Sequence, residues 1–138
     1  MTNGYKQAYR SNQFTGMPPE RITLALLDGA LAELERAQDA FDHKDVPLRG
    51  ESIGRALAII CELQNTLDLE KGGELGHNLH ELYGFMIREL LQANLRADPS
   101  KLPTVKVPLK EIRDGWAEMI AAQLTPASVG NAPIKAYL

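Results

Sequence analysis

The sequence predicts an all-α protein, an antiparallel four-helix bundle with a short extra N-terminal helix or arm, on three observations. Apolar residues recur at alternating spacings of three and four in four separate segments, the period of a helix face packed on neighbours. The links between the segments are short, and short links between long helices make antiparallel neighbours. Apart from a brief run near Val105 and Val107, no stretch alternates at the strand period of two.

The stretch from Asn65 to Asn94 carries the best-phased repeat, with Leu75, Leu79, Leu82, Met86 and Ala93 on one stripe. Tyr83, Ile87, Leu90 and Leu91 widen that stripe into a broad apolar face. A helix over residues 73–97 would be on the order of 37 Å long, which suits a bundle of equally long partners. Gly72 and Gly73 supply the freedom a chain reversal needs, and Glu74 puts negative charge at the positive end of the helix dipole. Asp98-Pro99 predicts the stop, because the residue before a proline is driven out of the helical region.

Three further helices follow from the same reading. Pro18 and Pro19 preset the first turn of a helix whose seam is Leu24, Leu27, Leu31, Leu34, Gln38 and Phe41. A second stripe on it, Ile22, Leu26, Gly29, Ala30, Ala37 and Ala40, is mostly small, so a neighbour comes in close there or a shallow groove stays open. Pro47 opens a segment with Ile53, Leu57, Ile60, Gln64 and Leu67 on one face and Ala56, Ile59 and Leu63 on its flank, ending near Asp68. In the last segment Leu109, Ile112, Trp116, Met119 and Ile120 are helically spaced. Pro103 and Pro108 lie ahead of them, and an interior proline costs about 3 kcal/mol, so regular helix is expected from about Val107. The chain thus divides into an N-terminal arm (1–17) with Tyr5, Tyr9 and Phe14, a bundle domain (18–124) and a flexible C-terminal tail (125–138).

Composition narrows the function classes. A chain of 138 residues buries enough surface for a core without metal or disulfide staples, and its one cysteine, Cys61, cannot form an internal bridge. The sequence begins with no secretory pattern and holds no membrane-spanning run, which points to the cytosol and a reducing environment. A net charge of −3 with interspersed signs disfavours a nucleic-acid partner.

No residue pattern reads as catalytic, and no cofactor motif is present. Glu74, His77 and His80 lie three apart on one helix face, but a di-metal bundle needs such a set twice, so groove-lining or surface histidines are expected and no metal. Cys61 reads as a small buried hydrophobe, with no basic cluster to lower its pKa. Asp28 falls among leucines, where an unpaired carboxylate is costly to bury. It reads as an exposed edge position, with the rim of an apolar groove as the functional alternative. Tyr83 reads as packing or, with its hydroxyl at a rim, as a binding anchor, and Trp116 as core.

These residues carry a resemblance that covers the chain from about Tyr9 to Leu124. Tyr9 precedes Asn12-Gln13-Phe14-Thr15 and a proline ahead of Ile22-Thr23-Leu24-Ala25-Leu26-Leu27-Asp28-Gly29-Ala30. Glu62-Leu63-Gln64-Asn65-Thr66-Leu67 runs into Gly72-Gly73-Glu74, followed by Asn78-Leu79 with Leu82-Tyr83, then Leu90 through Asn94, then Ile112-Arg113 with Trp116. In order and separation the set resembles the FliS family of flagellar secretion chaperones. The resemblance implies a helical bundle capped by an N-terminal helix, whose apolar surface receives the disordered C-terminal segment of flagellin. The bound subunit is thereby kept from polymerising early and is presented to the export apparatus. By the same resemblance Tyr9 and Gln13 take the capping-arm role, and Leu24, Asp28, Leu79, Leu82, Tyr83 and Met86 line or support the groove. An export-gate component or a regulator stands as a further candidate partner. Pro103, Pro108 and the opening Pro18-Pro19-Glu20-Arg21 depart from the family's pattern, which puts the start of the last helix and the cap of the first in question.

The physical reading fits that role on its own terms, since helices with apolar faces wider than one seam leave surplus apolar surface for an amphipathic partner. Two other classes use the same features: a homodimeric scaffold closing on its own apolar faces, and a metal-binding four-helix protein.

Overall fold

Each helix begins and ends where local chemistry places the boundary. The computed structural model describes residues 16–123, which form α1 (Pro19–Asp42), α2 (Val46–Asn65), α3 (Gly73–Leu95) and α4 (Lys101–Gln123). The arm and the tail fall outside these residues, apart from Gly16 and Met17. Pro18 sits at the N-cap of α1 with Pro19 at its first position, as the sequence suggests. Asp45 caps α2, its Oδ1 accepting from the Leu48 amide at 3.1 Å. Gly73 has φ +59 at the entry to α3, the left-handed backbone the glycine pair was expected to supply.

Helices α1 and α3 end through the same device. After α1, the Asp45 amide donates to the Ala40 carbonyl at 2.8 Å and the Lys44 amide to the Phe41 carbonyl, with Lys44 at φ +56. After α3, the Asp98 amide donates to the Ala93 carbonyl at 2.9 Å and the Ala97 amide to that of Asn94, with Ala97 at φ +50. Both are Schellman turns, built here without the usual glycine. Helix α3 therefore ends at Leu95 rather than at Asp98-Pro99, because the turn captures its last carbonyls first. Helix α2 ends at Asn65, short of the predicted Asp68, whose carboxylate instead accepts from the amides of Glu70 and Lys71 and shapes the loop.

The start of α4 corrects the sequence reading more sharply. Regular helix begins at Lys101, not near Val107, and Pro108 lies inside it. The proline ring removes the amide that would meet the Thr104 carbonyl. Burial of Leu102, Val105 and Leu109 offsets that loss, each being worth roughly 1.5–3 kcal/mol when removed from water. The first turns gain further support where the Thr104 hydroxyl, with one proton to donate, lies 2.6 Å from the Lys101 carbonyl and 2.9 Å from Glu89 Oε1, and where Lys101 pairs with Glu89 at 3.6 Å.

The helices close into a four-membered ring, α1 on α2, α2 on α3, α3 on α4 and α4 on α1. Cross-contacts fix the antiparallel direction: Arg49 with Asn94 and Gln64 with the His80 carbonyl between α2 and α3, and Glu20 with Trp116, Asp28 with Arg113 and Glu35 with Lys106 between α1 and α4. The core is rotated from the expected seams. On α1 it is Leu26, Leu27, Ala30, Leu34 and Ala37, while Leu24, Leu31 and Phe41 are half-buried at its edge. Ala30, Ala37 and Ala40 are small enough to let a neighbouring helix approach closely, so the small stripe is a packing surface and not an open groove. On α2 the expected flank, Ala56, Ile59 and Leu63, joins Ile53 and Ile60 inside. Cys61 is half-buried rather than sealed. Trp116 is core, and its indole donates to the Glu20 carbonyl at 3.0 Å.

Candidate partner-binding surface

Helix α3 carries a stripe too wide for the bundle to cover. Leu90 is fully buried, yet its neighbour Leu91 is 51% exposed and Leu95, one turn on, is 79% exposed. Leu75 and Phe85 are also exposed, although Leu75 was read as part of the packed stripe. Residues advance about 100° per step on a helix. Leu91 and Leu95 therefore lie on one side of the buried Tyr83–Leu90 line and Phe85 on the other, while Leu75 shares the angle of buried Ala93 and is open because it stands in the first turn.

A shallow concavity of about 620 Å³ opens on the outer side of α3, with Leu82, Gly84, Phe85 and Arg88 in its wall and Gln64 of α2 at its edge. The Gln64 amide donates to the His80 carbonyl at 3.0 Å, which ties the α2 rim to α3. Added to Gly84, a side chain would meet Arg88 and Gln64 at ordinary contact distance. His77 turns its Nδ1 to the Gly73 carbonyl of its own helix at 2.9 Å. Among the described residues no cluster of three or more His, Cys, Asp or Glu side chains is placed to hold a metal.

The residues singled out from sequence separate into three places. Leu24 and Asp28 lie on the α4-facing side of α1, where Asp28 accepts from Arg113 Nε at 2.7 Å. This exposed pair raises the Arg113 pKa, chiefly through the hydrogen bond to Asp28. Leu79 and Leu82 are half-buried on α3, packed against the core. Tyr83 and Met86 are inside it, so the Tyr83 ring packs in the core, and desolvation pushes its phenol well above the ordinary range. Because α1 and α3 stand diagonally in the ring, Leu24 and Asp28 do not share one channel with Leu79 and Leu82. Tyr9 and Gln13 lie outside the described residues.

The exposed leucines of α3 were the less visible part of the surface in the sequence. Leu91 sits beside Leu90 in a run that reads as one wide stripe, and only the register of the neighbouring helices decides which of the two is covered.

A sequence profile for Flagellar protein FliS matches residues 1–123. The chain belongs to the FliS family. Three curated FliS relatives show how far the likeness extends. The chain is 34% identical to the flagellar secretion chaperone FliS of Vibrio cholerae over 128 residues, 91% of this chain and 94% of that one. It is 39% identical to the FliS chaperone of Salmonella typhimurium over 83% of this chain and 86% of that one. With FliSB of Pseudomonas aeruginosa it shares 38% identity over 81% of this chain and 89% of that one. FliS is a family of chaperones of flagellar secretion and not of enzymes, and its partner is a flagellar protein. No described helix is long and apolar enough to cross a membrane.

Proposed function

We propose that this FliS-family chain is a cytosolic export chaperone that binds the C-terminal segment of flagellin, prevents its premature polymerisation and delivers it to the flagellar type III export apparatus. The observation that carries this reading is the apolar surface left open on the flanks of α3 by Phe85 on one side and Leu91 and Leu95 on the other, with Leu75 exposed at the start of the helix. A partner that is disordered before it binds must offset several kcal/mol of ordering cost, which favours a long wrapped contact over one deep pocket. Two apolar flanks on one helix, joined by the Leu82–Phe85 wall, suit a segment that folds as it wraps. Leu79 and Leu82 border that path, Tyr83 and Met86 hold α3 from beneath, and Leu24 and Asp28 give a separate contact on α1 that a segment wrapping round the bundle reaches.

The aromatic arm carrying Tyr9 and Gln13 competes with the incoming segment and is displaced by it. Titration of a flagellin C-terminal peptide, followed by calorimetry and light scattering, tests both statements. The full chain should bind with one-to-one stoichiometry, and a chain lacking residues 1–15 should stay folded with altered affinity. Absence of binding would overturn the reading, and an empty dimer that the peptide does not dissociate would favour a homodimeric scaffold.

A further inference from the structure

The end of the bundle where α1 turns into α2 holds a second, smaller cavity that the flagellin reading does not use. Its volume is about 230 Å³, and three of its six lining residues, Ala40, Phe41 and Val46, are apolar. Two cations stand at its edge. Arg49 lies over the Phe41 ring with its Cζ at 5.4 Å from the centroid, and its Nε donates to Asn94 Oδ1 at 3.3 Å. Those two contacts orient the guanidinium and leave its terminal nitrogens without a hydrogen bond among the described residues. Lys44 is fixed at φ +56 by the Schellman turn, and among the described residues neither cation has a carboxylate within ion-pair distance. The one acid in the lining, Asp45, is engaged by the Leu48 amide, so the cavity edge keeps a net positive charge.

We propose that this corner docks a protein partner through an apolar side chain seated against Phe41 and Val46 and an adjoining acidic side chain held by Arg49 and Lys44. An apolar floor alone would accept any hydrophobe. The flanking cations select a residue followed by a carboxylate, because a charge-assisted hydrogen bond to an oriented guanidinium is roughly twice as strong as a neutral one. The site lies on α1 and α2 at the far end of the bundle from Trp116, and it touches α3 only where Arg49 meets Asn94.

The probe is the capped dipeptide acetyl-Leu-Asp-amide, titrated into the full chain and followed by backbone amide NMR shifts, with acetyl-Leu-Asn-amide as the uncharged match. The aspartyl probe should give saturable shifts centred on residues 40–49 and the Asn94 side-chain amide. The asparaginyl probe should bind about tenfold more weakly, as should the aspartyl probe to Arg49→Gln or Lys44→Gln. Equal binding of the two probes, shifts centred elsewhere, or no saturable shift would overturn the proposal. Should Arg49→Gln lower the melting temperature, the solvent-exposed Lys44→Gln decides the charge dependence alone. A flagellin peptide bound with unchanged affinity by Lys44→Gln would show that the two sites are separate.

Discussion

Truncating Leu91 and Leu95 together to alanine should weaken the flagellin complex while leaving the bundle intact. Leu91 keeps 51% and Leu95 79% of its surface in water, so these are the fractions a partner stands to cover. Taking about 2.5 kcal/mol for complete burial of a leucine gives roughly 1.3 and 2 kcal/mol when both are sealed. The sum is about 3 kcal/mol, or roughly a hundredfold in Kd. The same residues contribute little to folding, so the urea midpoint should move by less than about 0.5 kcal/mol of stability. Leu90 is the internal control: it is fully buried, and Leu90→Ala should cost about 2–5 kcal/mol of stability. Calorimetric titration of a flagellin C-terminal peptide, paired with urea unfolding of each variant, reads both quantities. A double variant that is equally stable and binds as tightly as the parent would refute the assignment of the α3 flanks to the partner.

Further outcomes follow from buried and strained positions. Ser52 is fully buried and its hydroxyl has no hydrogen-bond partner among the described residues, so Ser52→Ala should stabilise the protein by about 1 kcal/mol in urea unfolding. Ala97→Gly relieves a left-handed alanine worth about 1–2 kcal/mol and returns part of that as unfolded-chain entropy, for a net gain of about 0.5–1 kcal/mol in the same assay. Burial raises the Tyr83 pKa, so its contribution is fully present below the ordinary tyrosine value of about 10 and is lost as pH rises above it. In a tyrosinate absorbance titration one of the four tyrosines should ionise only as the protein unfolds. Asp28→Asn should leave the melting temperature nearly unchanged at high salt, because the Arg113 pair is exposed and screened; a fall in flagellin affinity in that variant would place Asp28 on the partner's path.

Much of the fold was legible in the sequence because long periodic segments and short links leave few arrangements. Four helices, their order and the core role of Trp116 follow from spacing alone. What the spacing did not settle was rotation about each helix axis. Leu24 and Leu27, or Leu90 and Leu91, are equally apolar, and only the packing of each helix on its neighbours turns one member of each pair inward. Boundaries failed for a related reason. Proline at 108 argues locally against helix, but the burial of Leu102 and Val105 outweighs it, and the turns at Lys44 and Ala97 use residues that carry no turn signal. The candidate site was legible in part: the wide face of α3 was visible, whereas the exposed flank at Leu91 and Leu95 and the cation-edged corner at Arg49 depend on register between helices.

The proline within α4 also sets how that helix comes apart. With one rung of its ladder absent, residues 101–107 lean more on side-chain anchorage, through buried Leu102 and Val105, the contacts of Lys101 and Thr104 to Glu89 on α3 and the pair of Lys106 with Glu35 on α1. Amide protons in this opening segment should therefore exchange with solvent ahead of those beyond Leu109. The last helix has a built-in seam, and the bundle can loosen at one end while the Trp116 end stays shut.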